Sequence, residues 1–118
     1  MGIFDILGNL VKSSGVVAVS LLEATKVAPN SMGCYKLFCN GNLVYVGKAE
    51  DGLRKRFVQY YNGTTNHYTS ARNIFENRDS IVVRWVVLQS REECRRVEAQ
   101  WIRDLSPEWN KQSGWEGY

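Results

Sequence analysis

The chain has 118 residues, 44% hydrophobic and 12% aromatic, enough to bury one core and hardly two, so a single domain is expected. Its net charge of +3 suits a polyanionic partner without demanding one. Two prolines and a charged fraction of 23% exclude extended disorder through the middle of the chain.

Ile3, Phe4, Ile6, Leu7, Leu10 and Val11 recur at helical spacing, and a second apolar segment runs from Val16 to about Val27. Together they predict a helical extension over residues 1–31. Such short helices gain most of their stability by packing, so this one is expected to dock on something, as an interaction element or by self-association. Its longest apolar run, Gly15 to Leu22 broken by Ser20, is far short of the roughly 20 residues that cross a bilayer, and no signal-type pattern surrounds it. No membrane partner and a cytoplasmic location are therefore expected.

Pro29, Asn30, Ser31 and Gly33 break the pattern and put the start of the domain proper at residue 32. Cys34 to Cys39 and Asn42 to Lys48 have strand composition and are separated by Asn40 and Gly41, a strong hairpin signal. A two-residue turn there would leave Tyr35 and Tyr45 on opposite faces. A three-residue loop with Gly41 in a bulge would set them side by side, and this bulged form is the expectation.

Asp51 is expected to cap a helix from Gly52 to about Tyr61, with Leu53, Phe57 and Tyr61 inward and Arg56 and Tyr60 sharing one face. A loop and a short helix capped by Ser70 follow, then a third strand over Ile81 to Leu88. Ser90 and Glu93 form a capping box for a helix from Arg91 to about Leu105, which Pro107 ends. Residues 111–118 read as a loose tail, leaving a domain over residues 32–110. The predicted architecture is α+β: a small three-stranded antiparallel sheet flanked by helices, with the helical extension before it.

Three cysteines, Cys34, Cys39 and Cys94, fit neither a disulfide framework nor a zinc spacing and read as buried thiols. Glu98 is the polar residue that stands out. It lies in the apolar stripe of Cys94, Val97, Trp101 and Leu105, where an ionised carboxylate needs a cation, an arginine partner or a raised pKa. By periodicity alone it is a salt-bridge partner or a metal ligand. Arg56 alone is a solvated cation or a phosphate contact, and Tyr35 and Tyr45 alone are ordinary strand residues.

Gly33-Cys34-Tyr35 and Tyr45-Val46-Gly47-Lys48, with the tyrosines ten residues apart, resemble the paired signature of the GIY-YIG nucleases, Cys34 and Val46 replacing the usual isoleucines. Leu53-Arg54-Lys55-Arg56-Phe57 with Tyr60 resembles the family's arginine helix. Val97-Glu98 followed by Pro107 and Asn110 resembles its metal-binding glutamate and closing proline and asparagine. Within the family the pattern is most similar to the N-terminal incision domain of the bacterial excision-repair nuclease, through Lys48 and Tyr60.

The resemblance implies an endonuclease that hydrolyses phosphodiester bonds of nucleic acid, DNA before RNA. Glu98 would hold one Mg²⁺ or Mn²⁺, with Arg56 against the scissile phosphate. Tyr35, Tyr45 and Tyr60 stay in contention as base, relay or orienter. A tyrosine base would need its pKa lowered from about 10 by a cation such as Lys48 or Arg56. Lys48 and Asn110 would contact substrate or orient the site. Some homing and restriction members carry histidine near the positions of Tyr60 and His67, so His67 is a binding candidate or an ordinary loop histidine. Two rival functions are a binding module of this fold without turnover and a small ribonuclease or antibacterial toxin.

Overall fold

The computed structural model describes residues 17–65 and 68–112. The first half of the expected extension, residues 1–16, lies outside them. Residues 17–27 are not one helix: Val17–Ser20 is strand β1 and Leu21–Val27 is helix α1. Short apolar runs do not distinguish helix from strand by periodicity, and here a free sheet edge decides. The helix starts where the Ser20 side chain accepts the Glu23 amide at 3.1 Å.

The hairpin strands are β2, Gly33–Cys39, and β3, Asn42–Ala49; helix α2 is Leu53–Asn62, α3 is Thr69–Glu76 and β4 is Ile81–Val87. Helix α4 spans Arg91–Leu105 and a short α5 spans Glu108–Gln112. Among the described residues the sheet has four antiparallel strands in the order β1-β4-β2-β3, one more than predicted, because β1 adds to β4 with Val19 opposite Val83.

Part of the segment 17–31 therefore packs into the core. Leu21, Ala24 and Ala28 are fully buried. The carbonyls of Ser31 and Pro29 accept the Leu53 and Arg54 amides at 2.9 and 3.1 Å, and Arg54 Nε donates to Ala28 O at 2.8 Å. Backbone carbonyls thus satisfy the first amides of α2, which Asp51 was expected to cap; the N-cap is Gly52, at φ 125°.

Successive residues of β2 face opposite sides of the sheet. Tyr35 and Leu37 point into the main core, where Tyr35 meets Phe57 edge-on at 5.3 Å and Phe57 meets Trp85 at 5.7 Å between ring centres. Cys34 points the other way, under α4, and its thiol donates to the Cys94 carbonyl at 3.2 Å. Burial pushes the Cys34 thiol up to about 12. All three cysteines are free and buried.

The hairpin departs from the expected bulged loop. Asn40 and Gly41 both have positive φ, 53° and 85°, and form a two-residue turn. The bulge sits further down the strand, where Leu43 pairs with Phe38 and Tyr45 with Leu37, leaving Val44 unopposed. That extra residue returns Tyr45 to the Tyr35 face. The shared face arises, but by a different device.

Helix α4 is capped by Ser90, which accepts the Glu93 amide at 3.1 Å, while Glu93 reaches back one residue further than expected, to the Gln89 amide at 2.9 Å. Ser106 turns left-handed at φ 44°, and Pro107, Trp109 and Asn110 are buried. Helix α5 continues to Gln112, two residues beyond Asn110. Among the described residues no helix is long and apolar enough to cross a membrane.

Candidate active site

Strand β3 is an edge strand of the sheet, opposite β1. There α2, from one face, and α4, from the other, overhang a cavity of about 320 Å³. Tyr35 and Tyr45 from the hairpin, Arg56 from α2 and Glu98 from α4 line it, with Lys48 at the end of β3. Glu50, Asp51 and Arg91 complete the wall. Sequence reading missed these three: two follow the hairpin and one opens α4, outside every apolar stripe.

The phenols form a packed group. Tyr35 and Tyr45 have ring centres 6.4 Å apart, and the Tyr35 and Tyr60 hydroxyls are hydrogen-bonded at 2.5 Å. Tyr60 lies behind the cleft wall, buried. The Arg56 guanidinium lies close enough to the Tyr35 and Tyr60 hydroxyls to oppose the rise in their pKa, and its Nη1 donates to Lys48 O at 3.3 Å. Ser70, expected to cap α3, is instead buried and lowers the Tyr45 pKa against the larger raising effects; Tyr68 holds the N-cap position without a side-chain cap bond.

Burial, then Tyr45, holds Tyr35 above the ordinary tyrosine range, and burial, then Tyr35, does the same for Tyr60, with Arg56 opposing both. Tyr45 is raised chiefly by Tyr60, then by burial and Glu98. This is opposite to the lowering that a free-standing tyrosine base requires. All three are neutral hydroxyls, able to donate.

Two glycines make room for this arrangement. Tyr35 lies opposite Gly47, and a Cβ on Gly47 would run into the Tyr35 hydroxyl. A Cβ on Gly33 would run into the Val86 carbonyl oxygen of β4. Each motif glycine is thus a point of close approach.

Burial raises the Glu98 carboxyl above its usual range; Lys48 and Arg56 pull the other way, as does the Lys48 backbone amide, and Glu50 pushes it up. Asn110 spends its amide on the sheet edge: Oδ1 accepts the Val46 amide at 2.8 Å and Nδ2 donates to Val46 O at 2.9 Å. His67 lies outside the described residues.

The UvrC-like GIY-YIG domain model matches residues 31–111. The chain belongs to that family. UvrABC system protein C of Brucella abortus is 31% identical over 100 residues, which is 83% of this chain and 15% of the relative. The Anaplasma marginale protein of the same name is 37% identical over 94 residues, 75% of this chain and 15% of the relative. The chain thus spans about a seventh of the length of these curated relatives.

The fold is that of the GIY-YIG endonuclease domain. The N-terminal endonuclease domain of Thermotoga maritima UvrC, bound to magnesium as its catalytic divalent cation, superposes with a TM-score of 0.62 at 26% identity, over 75% of this chain and 93% of that one. A mutant of bacteriophage T4 EndoII shares the fold at 17% identity, with a TM-score of 0.58 over 88% of this chain and 97% of that one.

Proposed function

We propose that this GIY-YIG domain is a metal-dependent endonuclease that hydrolyses phosphodiester bonds of DNA. One observation carries the proposal: Glu98 and Arg56, from helices on opposite faces of the sheet, meet in one cleft lined by Tyr35 and Tyr45.

The donor set fits a hard divalent cation. Among the described residues no three His, Cys, Asp or Glu side chains gather as a closed metal cage. A half-buried carboxylate in an open polar cleft is the site Mg²⁺ or Mn²⁺ accepts, with water and substrate oxygens as further ligands. Glu98 would hold the ion, which when bound supplies charge stabilisation at the leaving oxygen.

The chain's own groups do the rest. Arg56 presents its fork to the scissile phosphoryl group, where growing negative charge strengthens the contact. The Tyr45 hydroxyl orients the attacking water at the cleft wall. As neutral phenols joined by a hydrogen bond, Tyr35 and Tyr60 brace each other and keep the cleft wall beside Arg56 in position. Lys48 holds a phosphate oxygen and Asn110 keeps β3, and with it Tyr45 and Lys48, in place. A cytoplasmic location accords with the free, buried thiols. Relatives named as one component of a UvrABC system support a reading in which another protein brings DNA to this domain.

The test is incubation of the purified protein with plasmid, single-stranded DNA and RNA in Mg²⁺, Mn²⁺ or EDTA. Metal-dependent cutting of DNA, lost in Glu98→Ala and in Arg56→Ala, is the expected result. Binding without cutting under every metal would make the domain a non-catalytic module, and cutting of RNA alone would make it a ribonuclease.

A further inference from the structure

Glu50 follows β3 directly and lines the active cleft. Both its oxygens are engaged by cations. Oε2 lies 3.1 Å from Lys48 Nζ and 3.2 Å from Arg95 Nε, and Oε1 lies 3.8 Å from Arg91 Nε. Arg91 and Arg95 stand one turn apart on α4, each with a side chain 63% exposed, whereas the Glu50 side chain is 19% exposed.

Three cations converging on one small anion from two structural elements is the arrangement that recognises a phosphate. A phosphodiester, like a carboxylate, carries a single negative charge and offers two unsubstituted oxygens. Ion pairs to arginines this exposed are weak and screened by salt, so exchanging one anion for another is inexpensive. Nothing in the packing of the fold requires a carboxylate here. Glu50 sits in the cleft wall and not in the hydrophobic core.

The geometry points to a second phosphate subsite, formed by Lys48, Arg91 and Arg95, that receives the phosphodiester next to the scissile one and that Glu50 occupies until nucleic acid displaces it. This rests on the nucleic-acid reading of the same cleft. Glu50 is then a built-in competitor: it lowers affinity for any polyanion and leaves only substrates that reach the subsite able to free Lys48.

Equilibrium binding of duplex DNA in EDTA, followed by fluorescence anisotropy over a range of salt, tests the subsite. Glu50→Gln is expected to bind about tenfold more tightly at low salt, with a slope of log K against log salt steeper by about 0.9 for each cation released. The combined Arg91→Ala, Arg95→Ala change is expected to remove that gain in the Glu50→Gln background. Circular dichroism and melting temperature verify that each variant is folded. Equal or weaker binding by folded Glu50→Gln would overturn the subsite and make Glu50 a strut for Lys48.

A thermal-shift series with inorganic pyrophosphate separates the two readings. If no variant binds DNA, yet pyrophosphate raises the melting temperature of Glu50→Gln more than that of the unmodified protein, and does so through Arg91 and Arg95, the subsite stands and the nuclease reading falls. No pyrophosphate effect together with no DNA binding would overturn both.

Discussion

The Tyr35 phenol lies over Gly47, its cross-strand partner, and fills the space that a Cβ there would need. The two halves of the signature are thus one contact: the tyrosine of the first strand requires the glycine of the second.

Gly47→Ala forces that phenol to move. The expected cost is about 1–3 kcal/mol by chemical denaturation, typical of overpacking a core. Combining it with Tyr35→Leu is expected to cost less than the two changes summed, since both act on one space. Additive costs would place the strain elsewhere.

Glu98 makes stability depend on pH and metal. Its folded pKa is raised above the unfolded value by burial, so its contribution is fully favourable below the ordinary carboxylate range and is lost as pH rises through the folded value. Glu98→Gln is therefore expected to melt higher than the unmodified protein at neutral pH in EDTA, with the gap closing in acid. Mg²⁺ or Mn²⁺ should raise the melting temperature of the unmodified protein and leave Glu98→Gln unmoved. A metal response that survives the substitution would remove Glu98 from the ion.

Arg56→Lys keeps the charge but loses the fork that lies beside Tyr35 and Tyr60 and bonds the Lys48 carbonyl. In the proposed reaction kcat is expected to fall by about 10²-fold, with KM for DNA changing much less. A loss confined to KM would make Arg56 a binding residue only.

Asn110→Ala breaks both hydrogen bonds to Val46. The expected destabilisation is about 1–3 kcal/mol, and the Val46 amide in β3 should exchange with deuterium faster than it does in the unmodified protein. Unchanged exchange at Val46 would show that another group holds the edge.

Much of this was legible in the sequence where local chemistry alone decides. Ser90 and Glu93 begin α4, Asn40 and Gly41 turn the hairpin, and the β-branched run at Ile81 makes a strand. What escaped was decided by partners distant in sequence. Val17–Ser20 is a strand because β4 has a free edge beside it, and α2 is capped by carbonyls some twenty residues earlier. The shared face of Tyr35 and Tyr45 was foreseen but ascribed to the turn; the bulge at Val44 carries no residue signal. In the cleft, the stripe-breaking carboxylate and the tyrosines were visible, whereas Glu50 and Arg91 became relevant only when α4 folded back over the end of β3.

Outer strands normally present a ladder on which a second molecule can grow. By occupying both hydrogen-bonding groups of Val46 with one amide side chain, Asn110 interrupts that ladder midway. The hairpin can therefore leave its flank open to a long, thread-like ligand passing sideways without inviting sheet-to-sheet aggregation at the same place.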